Sequence, residues 1–231
     1  MAFDWLQGLL GLPHRRRDSA LCHGESFSPD TQASSRADPA ACFQRSIQDR
    51  EIRRVIEFGT AQAVPGRSTH SMALFPRLDR SDYTMVDIKP GADVDVVANL
   101  HSLPLEWTNR YDACIANAVF EHLERPWIAA TEIARILAPA GVCYISTHQT
   151  FPLHGYPKDF FRFSTDALAL VFSDAGLEIL AVEYAHRTQI ILPPELLPSS
   201  GLNAWNNEFP SYALVTLAAR KPAVPLSPTT K

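Results

Sequence analysis

The chain has 231 residues, 46% of them hydrophobic and 20% charged, which is enough for one domain with a sizeable core. A formal charge of -4 and an isoelectric point near 6.0 give no electrostatic reason to expect a nucleic-acid partner. No apolar run approaches the roughly 20 residues that span a bilayer, and the start lacks the charge-then-apolar order of a secretory signal. Cys22, Cys42, Cys114 and Cys143 show no CxxC spacing, so a reduced, cytoplasmic protein acting on small molecules is expected.

Residues 1–42 read as an N-terminal arm. Phe3, Trp5, Leu6, Leu9 and Leu10, followed by Arg15, Arg16 and Arg17, suit a short amphipathic helix, so residues 1–17 are a candidate contact for a membrane surface or another protein. Residues 18–41 are rich in Ser, Asp, Ala and Pro, as linkers are. A folded domain is expected over 43–221, opening on a short helix that ends around Arg50. Strands follow at Arg54–Gly59, at Tyr83–Asp87 and at Val94–Ala98, the first terminating in an acidic residue and a glycine and the second in an acid.

Asp112–Ala116 is a short apolar run closed by Asn117, as in a strand buried on both faces. Ile128, Ile133, Ile136 and Leu137 then recur at helical spacing behind Pro126, which sits where a helix tolerates proline. Pro139-Ala140-Gly141 predicts a tight turn into a strand over Val142–Thr147. After a loop over 147–163, Ser164 or Thr165 caps a helix carrying Leu168, Leu170, Val171 and Phe172, and Gly176 ends it. Glu178–Tyr184 and Tyr212–Arg220 predict the last strands, separated by a Pro-, Asn- and Ser-rich insertion over 186–210, and residues 222–231 read as a disordered tail. Strands interleaved with helices indicate an α/β fold.

Four places carry a resemblance to the class I S-adenosylmethionine-dependent methyltransferases, and in particular to methyltransferase type 11-like domains with a degenerate glycine loop. They are Val55-Ile56-Glu57-Phe58-Gly59, Met85-Val86-Asp87, the segment from Val97 to Pro104, and Asn117-Ala118-Val119-Phe120-Glu121-His122-Leu123 with Glu132–Leu137 behind it. The resemblance implies a Rossmann-like, doubly wound sheet of seven strands, mostly parallel with the last antiparallel, and S-adenosyl-L-methionine as cofactor. It implies that Glu57, Gly59 and Thr60 form the loop under the methionine portion and that Asp87 accepts from the ribose hydroxyls. Asn99 would then read the adenine amine, Leu100 pack on its ring and Asn117 line the sulfonium. Where the family has glycines this chain has Ala61 and Ala63.

The stretch from His148 to Phe163 should overhang the transferred methyl. Its His-x-Tyr-Pro-x-Asp-aromatic-x-Arg-aromatic pattern is similar to methyltransferase-like proteins associated with glycan or secondary-metabolite modification. An oxygen acceptor needs alignment and a group to take its proton. His154 is the first candidate base and His148 the second, with Asp159 to orient them. His122, Tyr156 and Arg162 are candidate substrate contacts. The spacing of His148, His154 and Asp159 does not impose convergence on a metal, so none is expected. The function read from the sequence is methyl transfer to a small-molecule or glycan-like acceptor, with a silent methyltransferase-like interaction protein as the alternative.

Overall fold

The computed structural model describes residues 37–155, 157–191 and 210–223. The amphipathic segment, Tyr156, most of the insertion and most of the tail lie outside them. The described residues fall in one compact unit, built on seven strands: β1 (Val55–Phe58), β2 (Tyr83–Asp87), β3 (Val96–Val97), β4 (Tyr111–Asn117), β5 (Leu137–His148), β6 (Glu178–Thr188) and β7 (Ser211–Arg220). Their order in the sheet is β3-β2-β1-β4-β5-β7-β6. Only β7 runs antiparallel to its neighbours, as the resemblance implied.

Alternation along the strands divides the core in two. Val55, Tyr83, Met85, Ala113, Ile115, Val142 and Tyr144 face α1 (Pro39–Gln48), which contributes Phe43 and Ile47. Ile56, Phe58, Cys114, Ala116, Cys143 and Ile145 face α2 (Pro126–Ile136) and α3 (Thr165–Asp174), which contribute Ile133, Ile136, Leu168 and Phe172. Asp38 caps α1 through Ala40 N at 3.0 Å, so this helix starts ahead of the expected Phe43. Ser164 caps α3 through Ala167 N at 3.1 Å, and Gly176 follows its end at a φ of +83°.

Two expectations give way. The first four strands are not interleaved with α-helices: between Gly59 and Arg110 the chain makes only single 3-10 turns, at Met72–Leu74, Arg80–Asp82 and Leu105–Trp107. Pro65, Gly66, Pro76, Pro90, Gly91 and Pro104 punctuate this region too often for a helix. Carboxylates anchor it instead, since Asp95 accepts from Met85 N at 2.9 Å and Glu132 from Leu103 N at 2.7 Å.

The expected tight turn at 139–141 is the start of β5, where Leu137 already pairs with Tyr111 and the register shifts before Ala113. Ala140 takes the left-handed conformation there. A Cβ on Gly141 would lie 2.7 Å from Ala138 O and 3.0 Å from Tyr111 O, so only glycine lets the irregular strand close on β4.

Cys114 and Cys143 are fully buried, and burial raises the Cys114 thiol well above its ordinary pKa and pushes Cys143 up to about 12. Thiolate is the reacting form. Ellman's reagent should therefore leave both unlabelled in the native protein and label both in guanidinium, as read by mass-spectrometric mapping. Native labelling of either would contradict this core.

Candidate active site

The carboxyl ends of β1, β2 and β4 lie side by side, because β1 pairs in parallel with both others and Phe58 stands opposite Val86 and Ala116. Gly59, Asp87 and Asn117 therefore line one edge, the place where an open α/β sheet binds ligands. Gly59 donates to Val86 O at 2.9 Å, and Thr60 is buried with its hydroxyl 3.4 Å from the same oxygen. Gly59 has a φ of +78°, and a Cβ there would fall 2.5 Å from Val119 Cγ2. Alanine would meet both that clash and backbone strain of about 1–3 kcal/mol.

Asp87 Oδ2 accepts from Ala61 N at 3.0 Å and Oδ1 from Lys89 N at 3.1 Å. A carboxylate has about four acceptor positions, so these two bonds fix its plane and leave room for two hydroxyls. Asn99 is turned to a local task, its Oδ1 accepting from His101 N at 3.0 Å and lying 2.8 Å from the ring Nδ1. Leu100 is buried in the core under the α2 face. Asn117 donates to Ser71 Oγ at 3.5 Å.

Glu57 is 3% exposed and holds the first crossover. Its carboxylate accepts from Ser71 N at 2.7 Å, from Ser71 Oγ at 2.8 Å and from the Tyr83 hydroxyl. Burial raises its pKa despite these donors. The sequence showed the acid beneath the loop but not its partners, because Ser71 lies 14 residues on in an aperiodic segment.

The second half of the site hangs on Glu121, which is fully buried in the 3-10 turn Phe120–His122. Its backbone oxygen accepts from Phe160 N at 2.8 Å and Phe161 N at 3.1 Å, which ties the 148–163 loop down. Its Oε2 accepts from Thr147 Oγ1 at 2.7 Å. Around Oε1 stand His148 Nδ1 at 2.7 Å and His122 Nε2 at 3.9 Å. The His154 ring packs edge-on against both histidines, 5.1 Å from His148 and 4.8 Å from His122. Burial pushes the Glu121 carboxyl up, but His148 and the Thr147 hydroxyl outweigh it and hold the pKa below its ordinary value.

Expected His122, His148 and His154 thus converge, while Asp159 and Arg162 face other work. Arg162 binds both oxygens of Asp159 and also reaches the carbonyls of Phe151, Pro152 and Phe161. That salt bridge holds the Asp159 carboxyl well below the usual carboxylate range. Asp159 accepts from His154 N at 2.9 Å, with the His154 ring Nδ1 3.7 Å away. The pair staples the loop, and Arg162 spends donors on Asp159 and on three carbonyls. Tyr156 lies outside the described residues.

Residues 65–145 match the family model described as a methyltransferase domain. The fold is shared with solved structures of low sequence identity. One is a putative methyltransferase from Bacillus halodurans, 14% identical over 80% of this chain and 99% of that one, at a TM-score of 0.53. A second is the putative methyltransferase solved with the Haloferax volcanii Trm112 activator, 16% identical over 78% and 88%, at 0.51. A third is the Burkholderia thailandensis 1,6-didemethyltoxoflavin-N1-methyltransferase with bound S-adenosylhomocysteine, 16% identical over 80% and 77%, at 0.51. The curated proteins contain no sequence match.

Over residues 65–145 the chain is similar to a methyltransferase domain, and it shares its fold with solved methyltransferases. The match begins after Gly59, so the glycine-poor loop lies just outside it. That loop is held by Gly59 N on Val86 O and Ala61 N on Asp87 Oδ2.

Two outcomes follow for Glu57. Tyr83→Phe removes one buried donor and should cost about 1–3 kcal/mol in denaturant unfolding. Glu57 has a folded pKa above its unfolded value, so its contribution to stability is present at low pH and is lost as pH rises from the unfolded pKa through the folded one. Glu57→Gln cannot ionise, and its stability relative to wild type should rise over that window. A pH-independent difference in unfolding free energy would contradict this reading.

Proposed function

We propose that the domain moves the methyl group of S-adenosylmethionine to an oxygen of a small-molecule or glycan-like acceptor. The observation that carries the reading is Asp87, a carboxylate held in plane by two backbone amides at the strand edge shared by Gly59 and Asn117. Its remaining lone pairs suit the two ribose hydroxyls. The methionine portion would run past Gly59 and Thr60 toward Asn117. The Burkholderia methyltransferase was solved with S-adenosylhomocysteine, which supports this choice of cofactor, although its name specifies transfer to nitrogen.

The choice of oxygen rests on the cluster around Glu121. Bound S-adenosylmethionine supplies an electrophilic methyl, and the chain's part is to align the acceptor, exclude water and provide a place for the hydroxyl proton. Attack by the acceptor oxygen would form the O–CH3 bond as the C–S bond of bound S-adenosylmethionine breaks, with S-adenosylhomocysteine as the leaving product. The O–H bond of the acceptor gives up its proton at the cluster of His122, His148 and His154. The 148–163 loop, held by Glu121 and by the Asp159–Arg162 pair, closes this end. Among the described residues no helix is long and apolar enough to cross a membrane, in keeping with the cytoplasmic setting we propose.

Asp87→Ala should weaken S-adenosylmethionine binding about 100-fold in isothermal titration, the equivalent of two hydrogen bonds to a charged acceptor. Transfer of labelled methyl from S-adenosylmethionine should then be screened across hydroxyl acceptors. Cofactor binding unaffected by Asp87→Ala would overturn the ribose assignment, and tight binding with no transfer to any acceptor would favour a silent interaction protein.

A further inference from the structure

Four polar side chains from three separate segments meet where β4 and β5 end. Glu121 and His122 come from the 3-10 turn after β4, His148 from the last residue of β5 and His154 from the loop beyond it. One coordinating atom each from Glu121, His148 and His154 lies within 4.8 Å of the others. Glu121 is fully buried and His148 is 4% exposed. Glu121 Oε1 and His148 Nδ1 lie 2.7 Å apart, within ion-pairing distance, and neither atom has another hydrogen-bond partner among the described residues. Two buried polar atoms thus face a common point with only each other as partner.

The surrounding carbonyls prepare the imidazoles in the way metal ligands are prepared. A carbonyl only accepts, so His154 donates Nδ1–H to Pro152 O at 3.0 Å and His122 donates Nδ1–H to Lys158 O at 2.6 Å. Each bond fixes the ring plane and places the lone pair on Nε2. Ligating histidines are characteristically oriented by such second bonds. Glu121 is fixed in turn by Thr147 Oγ1 on its other oxygen, so Oε1 presents its charge to the cluster. His148 is also stacked on Phe151, with ring centroids 4.1 Å apart, which limits its rotation. Sequence spacing concealed the set because the carboxylate is Glu121, not the Asp159 that stands nearer to the histidines in the chain.

We propose that Glu121, His148 and His154 bind a divalent transition cation, with His122 beside them as a third nitrogen. Two imidazoles and one carboxylate are a ligand set used by zinc and by non-haem iron, and it leaves coordination positions open for water or substrate. The inference rests on the reading of this end as the acceptor side. It makes His154 a ligand in place of a base: a cation here would take the acceptor oxygen and lower its pKa, the proton leaving to solvent. Hard oxygen-seeking cations such as Mg2+ do not suit the imidazoles.

The probe is Zn2+ added to the metal-stripped full chain, followed by isothermal titration and by metal analysis after dialysis, with Co2+ absorption as a second readout on the unmodified protein. One equivalent of retained zinc is expected, together with a cobalt spectrum of low-symmetry nitrogen and oxygen coordination. His154→Ala should weaken zinc binding at least 100-fold, and His186→Ala, at an exposed position of β6 outside the cluster, should leave it unchanged. No stoichiometric zinc in the folded wild-type protein, or zinc binding indifferent to His154→Ala, would overturn the assignment. S-adenosylhomocysteine binding is titrated on the same sample: if it persists without zinc binding, the metal site alone falls, and if it fails while zinc is held, the methyltransferase reading falls.

Discussion

The buried carboxylate of Glu57 is the constraint from which the cofactor end is built. A charge-bearing group in the sheet's interior must be met by donors, and the donors it takes are the backbone and hydroxyl of Ser71 and the hydroxyl of Tyr83. Ser71 belongs to a crossover with no α-helix to give it shape. Satisfying Glu57 therefore fixes the path of the chain between β1 and β2, and with it the backbone beside Gly59. Ser71 passes the constraint on by accepting from Asn117 at 3.5 Å, so the ends of β1 and β4 are set by one network.

The same device recurs where the chain is irregular. Glu121 holds the 148–163 loop through its backbone oxygen, and its side chain organises the histidines. Glu132 accepts from Leu103 N at 2.7 Å while pairing with Arg135, which ties the segment before β4 to α2. Asp112 accepts from Arg53 N at 2.9 Å and Arg54 N at 3.1 Å, which sets the entry to β1. Carboxylates bonded to backbone amides do here what helix packing does elsewhere in the sheet. They place polar loops at the carboxyl edge without covering it.

Much of the fold was legible in the sequence because its signals are local. Tyr83–Asp87 reads as an alternating strand ending in an acid and is one, and the caps of α3 sit at Ser164 and Gly176 as the residue types require. The missing helices of the first crossovers were not legible through the family pattern, although Pro65 and Pro76 argued locally against them. At β5, Pro139, Ala140 and Gly141 carried a turn signal, but pairing of Leu137 with Tyr111 overrode it. The strand edge that Gly59, Asp87 and Asn117 share was legible in the strand ends. His122, His148 and His154 stood out in the sequence, whereas Glu121, which the structure places among them, carried no separate signal. The bonds of Arg162 to Asp159 and to three carbonyls were not legible in the sequence, which shows spacing and not donor geometry.

The account's central claim is that the cofactor lies against the carboxyl ends of β1, β2 and β4. Amide hydrogen exchange with and without S-adenosylhomocysteine tests this most directly, because exchange reports local opening segment by segment. The account predicts slower exchange on binding in residues 59–62, 87–90, 99–102 and 117–121, with α1 and the outer face of α3 unchanged. Protection confined to the helices, or ligand bound with no change at those strand ends, would contradict it.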